Sequence, residues 1–249
     1  MNPIIVIPCR MAASRLPGKP LADIHGQPKI VHDVRRALES DIGPVAVACA
    51  EREIAEAVRR AGSRAVLTDP ALPTGSDRVN AALAELDPDA RHDVVVNLQG
   101  DVPTVSRDQI RAAIRPLNDP GLDIDIGTVV TPVASVEEAN NPSFVKAACA
   151  FGPGQDVAPA LYFSRLPIPW GDGPRWHHVG IYAFRRAALA RFVALPPSAL
   201  EHQEKLEQLR ALDAGMRIGC AQVDHGLFGV DTPADLERAR RVLAPGVRR

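Results

Sequence analysis

Short apolar runs alternate with helix-like segments through the first half of the chain, and this alternation constrains the fold more than any other feature. The runs PIIVI, VAVACA and DVVVNL begin at Pro3, Val45 and Asp93, and each is followed by a segment with apolar residues at helical spacing. Strands that alternate with helices form parallel sheets covered on both faces. We therefore predict an α/β fold with a Rossmann-like mixed, mostly parallel sheet and helices on both faces.

The second half of the chain has a different pattern. From about residue 125, the apolar runs IDIGTVVTPV, VKAACAF, APALYFS and VGIYAF follow one another with fewer helical segments between them. This pattern predicts mixed strands added to the sheet. We find no linker long enough to separate two independent domains, so we expect one domain over 1–249, with 125–185 as a candidate dimerisation or lid subregion.

The composition excludes several classes of function. The formal net charge is −1, from 29 basic and 30 acidic residues, so no global field would attract nucleic acid or an anionic membrane. The longest apolar stretches are shorter than the roughly 20 residues of a membrane span, and the start of the chain lacks the pattern of a secretory signal. The four cysteines lack the spacing of a zinc site. We expect a cytoplasmic protein with buried free thiols at Cys9, Cys49, Cys149 and Cys220.

The segment PCRMAASRLPGKPL, residues 8–21, follows the first apolar run and carries three cations, Arg10, Arg15 and Lys19. Its prolines restrict the backbone, while Gly18 allows a ligand to approach closely. Three cations on one loop repel one another unless they converge on an anion, and one lysine about 4 Å from a phosphate oxygen is worth roughly 4 kcal/mol at an effective dielectric near 20. The loop thus predicts a polyphosphate site. The alternative is that the arginines extend into solvent around a proline-rich turn.

Two carboxylates stand at positions typical of a magnesium site. Asp101 directly follows the apolar run VVVNLQG, and Asp231 precedes a predicted helix start at Thr232 and Pro233. Mg²⁺ prefers oxygen ligands and usually takes one or two carboxylates together with substrate phosphates. The alternatives are that Asp101 is a turn residue and that Asp231 is a favourable negative charge at a helix N-terminus.

The loop and seven further segments resemble, in order, the 3-deoxy-manno-octulosonate (KDO) cytidylyltransferase family. The match spans nearly the whole chain, and eight segments in register are very specific. The seven further segments are TGSDRV (74–79), NLQGD (97–101), NPSFVK (141–146), ALYFSRLPIPW (160–170), HVGIYAFR (178–185), LEHQEKLEQLR (200–210) and GVDTPADLER (229–238).

The resemblance implies a role for each group of residues. It implies a fold of the nucleotide-diphospho-sugar transferase type, Mg²⁺ held by Asp101 and Asp231, and catalysis by Lys19, Asp101 and Arg15. The implied nucleotide-binding residues are Arg10, Arg15, Lys19, Ser76 and Arg78. The implied sugar-acid residues are Gln99, Arg165, His178, Tyr182, Glu207 and Gln208.

Simpler roles remain open for several of these residues. Ser76 would serve as the N-cap of a helix running to about Leu86, and Arg78 would lie at the surface. His178 would be a structural strand residue. Glu207 and Gln208 would belong to the solvated face of a helix.

The implied reaction is transfer of CMP from CTP to the anomeric 2-hydroxyl of KDO, with release of pyrophosphate, in lipopolysaccharide biosynthesis. The implied partners are CTP, the sugar acid and a second copy of the chain. The sequence departs from the family pattern near the site: Val102 replaces a glutamate, Met11 a tyrosine and His177 an arginine, and the connector 171–177 is short. These departures keep open the alternative that the substrate is a related acid, such as 8-amino-KDO or another ulosonic acid. A catalytically weakened nucleotide-binding paralogue is disfavoured, because Lys19, Asp101 and Asp231 are present.

Overall fold

The computed structural model describes residues 1–12, 16–224 and 228–244. The strands in this part of the chain are β1 Pro3–Cys9, β2 Asp23–Ile24, β3 Gln27–Pro28, β4 Val45–Cys49, β5 Arg64–Leu67, β6 Val94–Leu98, β7 Ile126–Pro132, β8 Lys146–Cys149, β9 Val157–Ser164, β10 Trp176–Arg185 and β11 Ile218–Gln222. The α-helices are α1 Lys29–Glu39, α2 Arg52–Arg60, α3 Gly75–Leu86, α4 Arg107–Ala112, α5 Arg115–Asn118, α6 Val136–Asn140, α7 Arg186–Ala194, α8 Ala199–Glu204, α9 Leu209–Asp213 and α10 Pro233–Val242.

The chain divides into two compact units. The first combines Met1–Ile110 with Leu227–Arg249, and the second is Arg111–Gly226. The first unit therefore takes residues from both ends of the sequence. The expected single domain stays a prediction.

Four strands of the first unit pair in the order β5-β4-β1-β6, and every pair is parallel. The middle residues of β1, Ile5 to Ile7, have no exposed surface. A strand buried on both faces reads as a continuous apolar run, which explains PIIVI and VVVNL. The predicted parallel strands are confirmed in this unit, and β1 continues two residues beyond the apolar run, to Cys9.

Parallel pairing brings the carboxyl ends of these strands to one edge of the sheet. Arg10 follows β1, Thr68 follows β5, and Gln99 to Asp101 follow β6. Ligands of open α/β sheets bind beyond the carboxyl ends of the strands. The segments with the predicted site residues thus meet at the edge where such sites form.

The second unit holds mixed strands, as the sequence predicted. They pair in the order β10-β7-β11-β9-β8, and β8 also pairs with β10. The β7–β11 pair is parallel, whereas β10–β7, β11–β9, β8–β9 and β10–β8 are antiparallel. The sequence interpretation did not identify β11, whose run IGCAQ is short and contains a glycine and a glutamine.

The structure confirms the predicted helix start at Thr232 and corrects the predicted cap at Ser76. Ser198 and Glu201 form a complete capping box at α8. Ser76 does not cap α3: Thr74 does, because its side chain accepts a hydrogen bond from the Asp77 amide while the Asp77 carboxylate accepts one from the Thr74 amide. Ser76 instead lies in the first turn of α3 and is buried. The capping-box spacing explains the difference: Thr74 has an acidic residue, Asp77, three positions later, whereas Ser76 does not.

Helix α10 packs on the first unit through a small apolar cluster. Leu236 and Ala239 of this helix are buried with Ile24 and Val230, and Leu243 packs against them. The start of α10 is fixed by a capping box between Thr232 and Asp235, which places the preceding residue, Asp231, at the edge of this cluster.

The cysteines are free thiols, as predicted. Cys9, Cys49 and Cys220 are buried, and Cys149 is half-buried. Burial raises the pKa of Cys9 to about 12 and that of Cys49 to about 11, so these thiols are protonated at neutral pH. Among the described residues, no helix has the length and apolar character that crossing a membrane requires.

Candidate active site

A cavity of about 220 Å³ opens at the carboxyl-end edge of the parallel strands in the first unit. Five of the residues singled out in the sequence line it: Arg10, Lys19, Arg78, Gln99 and Asp101. These residues come from the loop after β1, from α3 and from the end of β6. The fold therefore brings residues distant in sequence around one polar cavity. Arg15, the remaining cation predicted in the first loop, lies outside the described residues.

Lys19 points into the cavity and contacts both predicted metal-binding carboxylates. Its Nζ lies 2.9 Å from Asp231 Oδ1 and 3.6 Å from Asp101 Oδ2, and its side chain is 14% exposed. Burial alone would lower the pKa of Lys19, but the charges of Asp101 and Asp231 outweigh that effect and raise it. The ammonium is therefore charged and fixed at this position.

The two carboxylates meet because the backbone joins their segments. The amide of Val230 donates a hydrogen bond of 2.8 Å to the carbonyl oxygen of Asp101. Val230 is fully buried in the cluster under α10, so the next residue, Asp231, is held beside Asp101. The pairing of these two distant aspartates in the sequence interpretation is thus realised in the fold.

Arg78 is buried, and part of its guanidinium is unpaired. Its Nη1 donates to Thr68 Oγ1 and to the Asp69 carbonyl oxygen. Within the part of the chain that the structure describes, nothing hydrogen-bonds Nη2. Burial, followed by the nearby charge of Arg10, lowers the pKa of Arg78. A buried unpaired N–H is costly, so a cavity lined by Arg10 and Arg78 suits an anionic ligand. The surface role considered for Arg78 is wrong.

The polar residues Ser76, Asn97 and Gln99 form a hydrogen-bonded row beside the cavity. Asn97 Nδ2 donates to Ser76 Oγ at 3.4 Å, and Gln99 Nε2 donates to Asn97 Oδ1 at 3.2 Å. Ser76 and Asn97 are buried, whereas Gln99 is half-buried and lines the cavity. Gln99 is therefore the member of this row that a ligand in the cavity reaches.

The carboxylate oxygens of Asp101 and Asp231 suit a hard divalent cation that also binds the phosphate oxygens of a substrate. Asp101 and Asp231 contact the same ammonium, so both carboxylates already face one positive charge. Among residues 1–12, 16–224 and 228–244, no group of three His, Cys, Asp or Glu side chains converges. Mg²⁺ commonly uses one or two carboxylates plus water and substrate phosphates. These two aspartates fit that ion.

Three of the predicted sugar-acid residues lie together in the second unit. His178 and Tyr182 are on β10 with ring centroids 5.4 Å apart, and the charge of Glu207 acts on Tyr182. Burial, with a smaller contribution from His177, lowers the pKa of His178 to about 3. His178 Nε2 also lies 2.9 Å from Thr128 Oγ1. His178 is therefore a neutral imidazole, held by both a hydrogen bond and aromatic contacts.

Arg165 is anchored to carbonyl oxygens of its own unit. Its guanidinium donates to the backbone of Pro142 at 2.9 Å, of Glu204 at 2.8 Å and of Lys205 at 3.2 Å. These bonds use three of the five N–H donors of a guanidinium. Glu207 and Gln208 do not lie on a regular helix as considered from sequence: they occupy the turn between α8 and α9, and Gln208 is buried. The break follows Lys205, whose left-handed backbone (φ 55°) ends α8.

The sequence interpretation missed two buried lysines near these sites. Lys29, the first residue of α1, pairs with Asp33 one turn later, and both side chains have no exposed surface. Lys146 donates to three carbonyl oxygens, those of Asn141, Phe144 and Arg165. The burial of the first pair had one recognisable signal in the sequence. Lys29 directly precedes Ile30 and Asp33 directly precedes Val34, and these two apolar residues mark the apolar side of the helix.

Comparisons with known proteins agree on the family. The family model described as cytidylyltransferase matches residues 4–218. A 3-deoxy-manno-octulosonate cytidylyltransferase of Rhodospirillum centenum is 61% identical over 244 residues, covering 98% of this chain and 94% of the relative. One of Paramagnetospirillum magneticum is 56% identical over 243 residues, covering 98% of each chain.

Solved structures agree as well. A CMP:2-keto-3-deoxy-manno-octonic acid synthetase complexed with CTP is 36% identical, with a TM-score of 0.89 over 99% of this chain and 100% of the other. A UTP-bound UGPase from Acinetobacter baumannii is 14% identical with a TM-score of 0.66 over 99% of this chain and 95% of the other, a likeness of fold alone. The fold is thus the nucleotide-diphospho-sugar transferase type that the resemblance implied. The chain belongs to the 3-deoxy-manno-octulosonate cytidylyltransferases.

Proposed function

We propose that the protein transfers CMP from CTP to the anomeric 2-hydroxyl of 3-deoxy-D-manno-octulosonate and releases pyrophosphate, making CMP-KDO for lipopolysaccharide biosynthesis. The observation that carries the proposal is the Lys19 ammonium, held inside a cationic cavity between two carboxylates. Relatives that align over nearly the whole chain bear the name of this activity. The matched structure with CTP supports the nucleotide.

The triphosphate is assigned to the cavity of the first unit. Arg10, Arg78 and Lys19 line it and supply positive charge, and the unpaired Nη2 of Arg78 is a ready donor for a phosphate oxygen. Hydrogen bonds to charged groups contribute about 1.5–3 kcal/mol each. Arg15 is proposed as a further cation of this set, and Ser76 as a polar residue beside the nucleotide.

Asp101 and Asp231 are the residues that would hold Mg²⁺. When bound, the ion would neutralise phosphate charge and polarise the phosphorus that is attacked. In the reaction, the 2-hydroxyl oxygen attacks the α-phosphorus in line and releases its proton to solvent, while the bond between the α-phosphorus and the pyrophosphate oxygen breaks and pyrophosphate leaves. Lys19 faces the charge that develops on the α-phosphate oxygens, because nucleotidyl transfer depends mainly on positioning and electrostatic stabilisation.

In the second unit, the sugar acid is assigned to Arg165, His178, Tyr182, Glu207 and Gln208. For Gln99 of the first unit, a role in binding the sugar acid stays a prediction from the family resemblance. Arg165 would bind the carboxylate of the acid through its remaining N–H donors. Because His178 is neutral and its Nε2 is engaged by Thr128 Oγ1, its ring offers Nδ1 to a hydroxyl group rather than a charge. Burial, then the charge of Glu207, raises the pKa of Tyr182 well above its ordinary value, so Tyr182 is a neutral hydroxyl.

We also propose that the protein works as a cytoplasmic homodimer. The exposed large apolar side chains of the second unit include Leu161 at 67%, Leu166 at 71% and Trp170 at 98%. These three lie within the subregion 125–185 that the sequence indicated for dimerisation, and exposed apolar groups of this kind mark interaction surfaces. Sedimentation equilibrium of the wild type and of Trp170→Glu tests this: a dimer is expected for the wild type and a weaker association for the variant.

The deciding experiment measures pyrophosphate release with CTP and Mg²⁺ against KDO, 8-amino-KDO and a sialic acid, with the nucleotide product identified by mass spectrometry. We expect CMP-KDO as the main product. Release only with a different acid would move the proposal to the related ulosonic acid that Val102 and the short connector 171–177 keep open. No release with any acid would contradict a transferase function.

A further inference from the structure

We propose that Lys29, supported by Asp33, is a positioning residue for Asp101 and acts through the carbonyl oxygen of Gly100. This inference rests on the proposed function, in which Asp101 serves the reacting triphosphate. Lys29 itself touches neither the cavity nor a solvent-exposed surface. Its effect on the reaction would therefore pass through the peptide group next to Asp101.

The contact geometry links helix α1 to the end of β6. Lys29 Nζ donates to Asp33 Oδ2 at 2.7 Å and to the Gly100 carbonyl oxygen at 2.6 Å. Lys29 opens α1, so its side chain is carried by a helix rather than by a loop. The charged hydrogen bond ties the peptide that precedes Asp101 to a rigid element, and bonds of this kind are shorter and stronger than neutral ones.

The same peptide is fixed from its other side by close packing. A Cβ added at Gly100 would lie 2.8 Å from the Pro8 carbonyl oxygen and 3.2 Å from Ile7 Cγ2, so the backbone lies directly against β1. The carbonyl oxygen of Asp101 is held in turn by the Val230 amide. The backbone of residues 100 and 101 is thus held by β1, by Lys29 and by Val230. The freedom that remains to Asp101 is the rotation of its side chain.

Stability alone does not explain a buried ion pair at this place. An apolar pair of similar volume is often equally or more stabilising, because burying two charges costs free energy. Burial raises the pKa of Asp33 to about 6, and Lys29 offsets this only in part. Within the described residues, nothing hydrogen-bonds Asp33 Oδ1. What the pair supplies, and an apolar pair would not, is a directed donor for the Gly100 carbonyl oxygen.

The test compares the wild type with Lys29→Met/Asp33→Leu, which removes both charges and keeps the buried volume close to the original. The single variant Lys29→Met leaves Asp33 unpaired and is expected to fold less well. A matched control is Arg36→Met/Glu39→Leu, which removes an ion pair from the exposed side of the same helix, where Arg36 Nη1 lies 2.7 Å from Glu39 Oε2. Each protein is assayed for turnover, for the KM of CTP, for its urea midpoint and for Mn²⁺ affinity in the presence of CTP by electron paramagnetic resonance.

For the double variant, we expect turnover to fall by about 10- to 100-fold and the Kd of Mn²⁺ to rise by about tenfold, the range seen for groups that orient metal ligands. The KM for CTP should change less than threefold, and the urea midpoint should not fall. The control should match the wild type in every measurement. Turnover and Mn²⁺ affinity within threefold of wild type, or a loss confined to the urea midpoint or to the KM for CTP, would overturn the inference.

Failure of the proposed function is distinguishable from failure of this inference. A wild type that makes no CMP-linked product would contradict the proposed function. The Mn²⁺ measurement needs no turnover, so it would still show whether removing the Lys29 ammonium disturbs Asp101. Unchanged Mn²⁺ affinity in the double variant would contradict the positioning role in either case.

Discussion

Several cations of the two units have different surroundings. In the first unit, Arg78 keeps an unpaired buried N–H group, and Lys19 sits between two carboxylates beside a cavity. In the second unit, Lys146 and Arg165 each donate to three backbone carbonyl oxygens. The difference teaches that a buried cation by itself does not mark a ligand site. What distinguishes Lys19 and Arg78 is a capacity to bind a ligand, because both side chains line the cavity of the first unit.

The largest expected effect tests that capacity at Lys19. Removing the ammonium with Lys19→Ala should lower turnover by about 10²- to 10³-fold, by analogy with the loss of one donor to a developing oxyanion. The measurement is pyrophosphate release at saturating CTP and sugar acid. Arg60→Ala, which removes an exposed cation from the end of α2, is the control and should leave turnover unchanged. Turnover of Lys19→Ala within threefold of wild type would refute the assigned role.

The carboxylates provide the next test. Asp231→Asn should raise the Mg²⁺ concentration needed for half-maximal rate by about 10- to 100-fold, since the neutral amide is a poorer ligand for a hard cation. A titration of rate against Mg²⁺ at fixed CTP measures this. Asp23→Asn, at an exposed aspartate of the same unit, is the control. A Mg²⁺ requirement equal in the two variants would remove Asp231 from the proposed site.

The third test asks whether an arginine anchored by the backbone also binds substrate. Arg165→Lys keeps the charge but loses the planar fork, and should raise the KM for the sugar acid about tenfold without changing the KM for CTP. Arg185→Lys is a matched control, because Arg185 also donates to two carbonyl oxygens of the second unit, those of Ile124 and Leu117. If both variants raise the KM equally, Arg165 has a structural role only.

The fourth test concerns pH and His178. Its pKa of about 3 in the folded protein lies below the ordinary value of 6.5, so below about pH 6.5 the unfolded chain takes up a proton that the folded protein does not. The free energy of unfolding should therefore decrease as the pH is lowered below about 6.5, by up to about 1.4 kcal/mol per pH unit for this one group. Urea unfolding at pH 7 and pH 5 should show a weaker pH dependence in His178→Gln. His202→Gln, at an exposed histidine, should keep the wild-type dependence.

The smallest expected effect is the loss of a helix cap, which can be compared between two capping boxes, one in each unit. Thr74→Ala and Ser198→Ala each remove a helix cap and should lower the free energy of unfolding by about 1 kcal/mol. Thr74 also lines the cavity and begins the helix that carries Arg78, so only Thr74→Ala should raise the KM for CTP. Equal KM values in the two variants would show that α3 holds Arg78 without this cap.

Much of the first unit was predictable from sequence because its signals are local. The apolar runs of β1, β4 and β6 and the cationic loop after β1 can be recognised without tertiary information. The cap at Thr74 was also recognisable, because Asp77 stands three residues later, although the sequence interpretation assigned the cap to Ser76. The Lys29 bond to Gly100 joins residues 71 positions apart, and no local pattern specifies such a contact.

The site residues of the second unit were identified only through the family resemblance. His178 lies in an apolar strand and Gln208 in a leucine-rich segment, where burial in the core is the simpler expectation. Their roles stay predictions. What the fold adds is that His178, Tyr182 and Glu207 are neighbours, a fact set by the pairing of β10 with β7 and by the turn between α8 and α9.

The ion pairs of Lys19 have a practical consequence for handling the protein. Because this ammonium lies between the two aspartates and offsets one of their two negative charges, the first unit depends less on a divalent ion to relieve repulsion between them. Dialysis against a chelator should therefore leave the melting temperature nearly unchanged. A preparation stripped in this way should regain full activity as soon as magnesium is returned, without a refolding step.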